Sequence, residues 1–425
     1  MKKSIFIATF ILLYVASVNG FLFFRECVEG VTSWPTQCCP LFQGSVCGEN
    51  QGRGYCAQKP YIRTVGPVDV TYDERYNSPG FLFNWTCQCN PRFIGADCGI
   101  CYPGWTGANC DQPHMVYRQD IKKMSPQQVQ RFIATLHYGK TKIMKDYVIL
   151  STADRFRRIY YKFLDASCYD LFDFLHNYAT RPFNSGAQEF FIINYAHGST
   201  GFFSWHRYCI VLLEKVLQMC SGDNDFAFPF WRWELETNCS VCNNDYVGAT
   251  DIDGKISKYS VFSEWRLICG NDYSQTVCLT EECACQRERI VRLPGLNSAR
   301  LPTINDVQRC LSMPYYDTAP YNRSSINSAR QCLESLHNTV HVYFGGIMNQ
   351  VHMAAGDPIF FLHHVNVDRM FDEYIVQNNL RPENYPPTNV YGHGPTSCID
   401  PLFNCVQHRQ MLQPISNLGV TYKLT

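Results

Sequence analysis

His337-Asn-Thr-Val-His341 sets two imidazoles four residues apart. On a helix that spacing is one turn on one face, so both rings can reach a single ion. The zinc-protease form of the pattern needs Glu directly after the first His. Asn338 stands there, which argues against that chemistry. A third imidazole is expected from Asp357-Pro-Ile-Phe-Phe-Leu-His363-His364. Neighbours on a helix diverge by about 100°, so only one of His363 and His364 can face the same ion. A second trio lies upstream: His176, then His197 in Tyr195-Ala-His197-Gly-Ser-Thr, then His206 in Phe203-Ser-Trp205-His206-Arg207. Any one of these alone would more often be structural; the repetition of the trio points to metal. Neither trio contains a carboxylate or thiolate. All-imidazole sites suit Cu, Zn, Fe or Ni. Three neutral ligands leave the ion's charge uncancelled and a coordination position open. Two such ions facing each other would hold a small diatomic ligand, and with copper each supplies one electron to a bound O2. The spacing alone does not name the metal.

These residues must be positioned by helices. Ser125-Pro126-Gln-Gln is a helix start, with a cap residue and Pro at the first position. Asp170 to Ala179 puts Leu171, Phe172, Leu175 and Tyr178 on one face and stops at Arg181-Pro182. Trp205 to Met219 has Ile210, Leu213 and Leu217 at core spacing. Ser328 to Phe344 carries Cys332, Leu333, Leu336 and Val340 on one side and ends at Gly345-Gly346. Asp357-Pro358 caps a helix running to about Asn378. The expected fold is mainly α: a four-helix bundle around a binuclear metal site. Residues 238–318 read as Cys-rich loops with short elements.

The chain has 425 residues, 46% of them apolar, enough for a sizeable core. Lys+Arg and Asp+Glu are both 37. That balance argues against a protein that grips nucleic acid or anionic lipid by bulk charge. Twenty-three cysteines are a load that a reduced cytosol rarely tolerates. Met1-Lys2-Lys3 followed by an apolar run from Ile5 to Ala16 and by Val18-Asn19-Gly20 reads as a signal peptide, 1–20, too short to span a membrane. No later stretch is long and apolar enough, so the mature chain is expected to lack a membrane span and to be secreted or held in the lumen of a secretory or pigment organelle. Sequons at Asn84, Asn238 and Asn322 agree with that route. Ten cysteines lie between Cys27 and Cys110, a density that calls for disulfide staples in place of a core. The stretch from Cys87 to Cys110 has the C-x-C-x8-C rhythm of an EGF-like module. The expected division is therefore 21–112 for a disulfide-rich EGF-like N-terminal region and 113–425 for a catalytic domain. Asp111 to Pro126 reads as their connection.

The histidine motifs resemble the tyrosinase family of type-3 copper monophenol oxidases: His197-x8-His206 with Trp205-His206-Arg207, His337-x3-His341, and Asp357-Pro-x-Phe360-x3-His364-x3-Asp368. The cysteine-rich head is similar to the animal tyrosinase and tyrosinase-related branch, as are Gly222-Asp223-Asn224, Phe230-Trp231-Arg232-Trp233 and Cys239-x2-Cys242. The resemblance implies two copper ions, one held by His176, His197 and His206, the other by His337, His341 and His364. His137 is the rival to His176, at a longer spacing from His197. His363 would be a neighbour of the site. Asp368 is expected to orient an imidazole through its other nitrogen, and Asn338 to hold a water near the metals. Val342, Val351 and Ala354 are substrate-pocket candidates. The implied disulfides are Cys27–Cys38, Cys39–Cys56, Cys47–Cys87, Cys89–Cys98 and Cys101–Cys110. Cys168, Cys209 and Cys220 are expected to be buried thiols, and the odd total leaves at least one cysteine unpaired. Tyr195, where some relatives have Cys two residues before the histidine, excludes a thioether to His197. The implied reaction is ortho-hydroxylation of a small phenol with O2 and oxidation of the catechol to an o-quinone. Three alternatives stay open: a zinc-bound dopachrome tautomerase of the same fold, an oxygen-binding or catechol-only protein, and a secreted protein acting through its EGF-like head.

Overall fold

The computed structural model describes residues 23–29, 37–58, 83–152, 162–180, 194–268, 289–319, 321, 326–388, 390, 392–399 and 405–424. The expected signal peptide and the sequon at Asn322 lie outside them. The described helices are α1 (Arg25–Val28), α2 (Pro126–Thr141), α3 (Asp170–Thr180), α4 (Phe202–Ser221), α5 (Ile304–Leu311), α6 (Ala329–Phe344) and α7 (Ile359–Gln377).

Local chemistry fixes their ends. Ser125 Oγ accepts from Gln128 N while Gln128 Oε1 accepts from Ser125 N, a reciprocal cap ahead of Pro126. Such a cap contributes about 1 kcal/mol. Ser328 caps α6 one way only, its Oγ accepting from Gln331 N, while the Gln331 side chain accepts from Asn327 N. That helix stops at two glycines with positive φ, and a Cβ on Gly346 would stand 2.0 Å from the Val291 carbonyl oxygen, so the exit requires glycine. At α7, Asp357 Oδ1 accepts from Ile359 N at 3.0 Å. The same carboxylate is gripped by both arms of the fully buried Arg292.

Helices α4, α6 and α7 pack on one another, and α3 packs against the short turn Ala354–Gly356. Two β features and one short helix lie outside the expectation. Strand Ile143–Thr152 pairs antiparallel with Lys162–Ser167, and Phe23–Phe24 joins its other edge. Tyr147, Val148, Ile149 and Leu150 are consecutive and all buried. A strand covered on both faces shows no alternation, and a short apolar run of that kind is not separable from helix by period. Strand Val116–Gln119, in the expected connection, pairs in parallel with Val420–Lys423 near the far end of the chain. Helix α5 stands in the stretch expected to be irregular. Its buried residues are Val307 and Cys310, one short stripe that gives little periodicity to read.

Buried charge ties these parts together. Arg118, on the strand after the head, pairs through Nε and Nη2 with Glu214 of α4 at 2.8 and 2.7 Å, and through Nη1 with Asp368 of α7 at 2.9 Å. Arg207 of α4 reaches Asp368 from the other side at 2.6 Å, and the Tyr422 hydroxyl donates to Asp368 at 2.6 Å. Each guanidinium is buried and fully paired, the condition under which such groups are tolerated.

The N-terminal region is small hairpins held by Cys27–Cys38, Cys39–Cys56, Cys47–Cys87, Cys89–Cys98 and Cys101–Cys110, the pairs that the family resemblance implies. Cys168 and Cys220 are not thiols. They bridge the start of α3 to the end of α4, two points that only the folded chain brings together. Cys209 is the free cysteine among the described residues. Further bridges are Cys239–Cys242, Cys310–Cys332 and Cys398–Cys405. Among the described residues no helix is long and apolar enough to cross a membrane.

Candidate metal centre

His337 and His341 project from one face of α6, and His364 meets them from α7. Their three Nε2 atoms lie 3.1, 2.9 and 3.3 Å apart. Ligands about 2.0 Å from one tetrahedral ion stand about 3.3 Å from each other, so this spacing fits a metal. The other nitrogens explain the orientation. His341 Nδ1 donates to the Met348 carbonyl at 2.6 Å, and His337 Nδ1 donates to Asn338 Oδ1 at 3.1 Å. Each contact puts the proton on Nδ1 and leaves Nε2 bare. The Phe360 ring stacks on His364 with centroids 3.9 Å apart.

The second group is His176 on α3, His197 on the loop before α4, and His206 on α4; their ligand atoms lie within 4.8 Å of one another. His206 Nδ1 donates to the Phe202 carbonyl at 2.8 Å, which leaves Nε2 bare, buried and without a partner. Both ring nitrogens of His176 are buried without a hydrogen bond. An orphaned buried acceptor carries a cost that a bound cation removes. The two groups face each other: the His206 ring stacks on His364 at 4.4 Å.

Burial keeps these rings neutral. Desolvation is the first cause in each case and is reinforced at several rings by neighbouring imidazoles. It pushes His206 down to about 3 and His341 to about 4, and holds His176, His337 and His364 well below the ordinary histidine value. Neutral imidazole is the form that binds metal. Two converging groups of three neutral imidazoles with no carboxylate fit soft-to-borderline cations and leave each with open coordination.

His137 belongs to neither group; it sits on α2 and accepts from Trp265 Nε1 at 3.3 Å. His363 is buried beside the α6–α7 group, its ring flat against His337 at 5.0 Å, while His364 brings its Nε2 into the triangle. Asp368 does not orient an imidazole. Its carboxylate is taken up by Arg118, Arg207 and Tyr422, because the helix turn that separates it from His364 points it into the ionic cluster. Asn338 is half-buried, with its acceptor engaged by His337. Val342 and Val351 are exposed, but Ala354 is fully buried in the turn packed on α3 and does not line an open pocket. Asn84 and Asn238 are exposed.

Sequence reasoning missed the residues that hold His197. Asn194 Oδ1 accepts from Ala196 N and His197 N and lies 3.4 Å from His197 Nδ1. Glu334 of α6 accepts from Gly198 N at 2.6 Å. An Asn three residues before the histidine is the signal for the first, since Asn side chains turn back on their own backbone. Glu334 left no signal.

The common central domain of tyrosinase matches residues 166–377, the span that contains all six histidines. The tyrosinase of Pelophylax lessonae is 31% identical over 455 residues, covering 99% of this chain and 85% of that one. The tyrosinase of Felis catus is also 31% identical, covering 94% and 81%. The 5,6-dihydroxyindole-2-carboxylic acid oxidase of Ambystoma mexicanum is 33% identical, covering 94% and 82%. A polyphenol oxidase structure from Thermothelomyces thermophila superposes with a TM-score of 0.48 at 15% identity, over 76% of this chain and 91% of that one, and adds nothing to these matches.

Proposed function

The chain belongs to the tyrosinase family of copper oxidoreductases, and from that premise we propose that it holds two copper ions, ortho-hydroxylates a tyrosine-like monophenol and oxidises the o-diphenol to an o-quinone with O2. The observation that carries this reading is the meeting of two buried three-imidazole groups, with His206 against His364. Copper there supplies one-electron redox chemistry at each group.

The chain's own residues do the rest. Neutral Nε2 atoms hold the ions, and the Phe202, Met348 and Asn338 oxygens fix the tautomers. Phe360 and Phe202 pack against the rings and exclude water. His341 is partly exposed while the other five are buried, and Val342 and Val351 are exposed in the same stretch. The phenol is therefore assigned an approach from the α6 end. Asn338 retains its amide NH2 as a donor for a water at that rim, with its acceptor on His337.

The same proposal divides the chain into a signal peptide (1–20), an EGF-like head (21–112) and a catalytic domain (113–425) whose ligand helices form a four-helix bundle. Secretion is supported by nine bridges among the described residues and by exposed sequons at Asn84 and Asn238. The test is metal analysis with parallel assays on tyrosine, DOPA, dopachrome and 5,6-dihydroxyindole-2-carboxylic acid. Copper in the protein with o-quinone formed from tyrosine is the expected result. Stoichiometric zinc that resists copper exchange, with dopachrome as the one substrate consumed, would overturn it.

A further inference from the structure

We infer that His393 is a positioning residue for the first metal group, fixing the loop that carries His197 by holding both of its ends at once. The inference rests on the reading of His176, His197 and His206 as copper ligands. His197 is the one ligand of the six that lies outside a helix; residues 194–201 run through bends and a turn. No i to i−4 ladder sets the position of its ring, so something from elsewhere in the chain must.

The geometry supplies it. His393 Nε2 meets the Asn194 carbonyl at 2.7 Å, and Gly201 N donates to His393 Nδ1 at 3.0 Å. A carbonyl only accepts and a backbone N–H only donates, so the two contacts fix one tautomer, with the proton on Nε2. The ring is 1% exposed and both its nitrogens are used. Each end of the loop leads directly to a ligand. Asn194 gives its side-chain oxygen to the backbone N–H of His197 and faces that residue's Nδ1. Gly201 is the cap of α4, which carries His206 one turn in. One imidazole thus sets the separation between two ligands of the same ion.

The approach is close enough to need glycine on both partners. A Cβ on Gly201 would stand 2.5 Å from His393 Nδ1, and a Cβ on Gly392, at φ +76°, would stand 2.7 Å from the Tyr195 ring. His393 is itself held. The Tyr385 hydroxyl donates to its carbonyl at 3.1 Å, and the His408 ring stacks beside it at 5.9 Å. His408 bonds Ser204 of α4 rather than the loop backbone, so it is the natural control.

Three full-length proteins are stripped of metal and titrated with Cu(II): wild type, His393→Phe and His408→Phe. Bound ions are counted by native mass spectrometry, affinities come from chelator competition, and EPR reports whether each Cu(II) has a magnetic neighbour. The wild type is expected to take two ions that couple. His393→Phe keeps the ring and loses both hydrogen bonds. It should hold one ion with unchanged affinity and the other 10–100-fold more weakly, the usual effect of removing a group that orients a ligand. The retained Cu(II) should then give the full signal of an isolated ion. His408→Phe should behave as wild type. Two wild-type affinities in His393→Phe, or equal weakening of both ions, would overturn the inference. Should His393→Phe fail to fold, His393→Gln, which keeps a donor for Asn194, must show the same split in smaller degree; no split there is also contrary. A wild type that takes up no pair of ions is a different failure, visible before any variant, and removes the copper reading along with this one.

Discussion

The two histidine groups have the same ligands and different construction. The group of His337, His341 and His364 is built by two helices in contact, and its Nε2 atoms already stand 2.9–3.3 Å apart. The group of His176, His197 and His206 is assembled from two helices and a loop. One is set mainly by local backbone geometry. The other depends on Asn194, Glu334 and His393, which come from three separate parts of the chain. A site made by helix periodicity is expected to be tight without its ion; a site made by tertiary contacts is expected to tighten on loading.

Loss of one ligand should separate the two groups most strongly. His341→Ala removes one corner of the α6–α7 triangle. It should abolish phenol oxidation and the intense near-ultraviolet band that O2 produces in the reduced copper protein, while metal analysis still finds one ion in the other group. Loss of both ions would mean that the groups are not independently built.

A cut at the shared foundation should act on both. Asp368→Leu leaves Arg118 and Arg207 buried without their common partner. Breaking such a cluster costs about 3–5 kcal/mol, read as a lower denaturant midpoint. Because Asp368 joins α4 to α7, affinities at both groups should fall together. A variant that loses affinity at one group alone would contradict that placement.

Acid should separate the metal-free protein from its unfolded chain. The folded values of His206, about 3, and His341, about 4, lie below the ordinary value near 6.5. Below pH 6.5 the unfolded chain therefore binds protons that the fold refuses, and stability falls steadily as pH drops towards 4 and then 3. Urea midpoints of the metal-free protein should decline through that window, and less steeply in His341→Leu. A midpoint that is flat from pH 7 to 5 would contradict the neutral, buried state of the rings.

The smallest effect is expected at Asn338. Asn338→Leu removes the acceptor of His337 Nδ1 at similar size. It should weaken the α6–α7 ion about 10-fold and lower monophenol turnover more than diphenol turnover. Equal losses on both substrates, with affinity unchanged, would leave Asn338 as an ordinary helix residue.

How much of this was legible follows the same division. The start of α2 at Ser125-Pro126, the exit of α6 at Gly345-Gly346 and the His337-x3-His341 pair are short-range signals, and each stands where the sequence places it. The choice of His364 over His363 was not decided by the helix period; α7's packing against α6 decides it. The strand at 143–152 was hidden because both of its faces are covered over Tyr147–Leu150, which removes the alternation there. The partners of Asp368 were hidden because Arg118 lies 250 residues away and enters through a strand that pairs with residues 420–423. His393, 199 residues from Asn194, left no mark in local spacing.

The most direct test is a copper titration read by activity. Metal-free protein receives Cu in steps, bound copper per chain is counted at each step, and o-quinone formation from a monophenol is followed. If two unequal groups must both be filled, the α6–α7 group loads first, activity stays near zero up to one copper per chain, and it rises to a plateau at two. Activity that grows in proportion from the first copper and saturates at one would contradict a copper pair as the working centre.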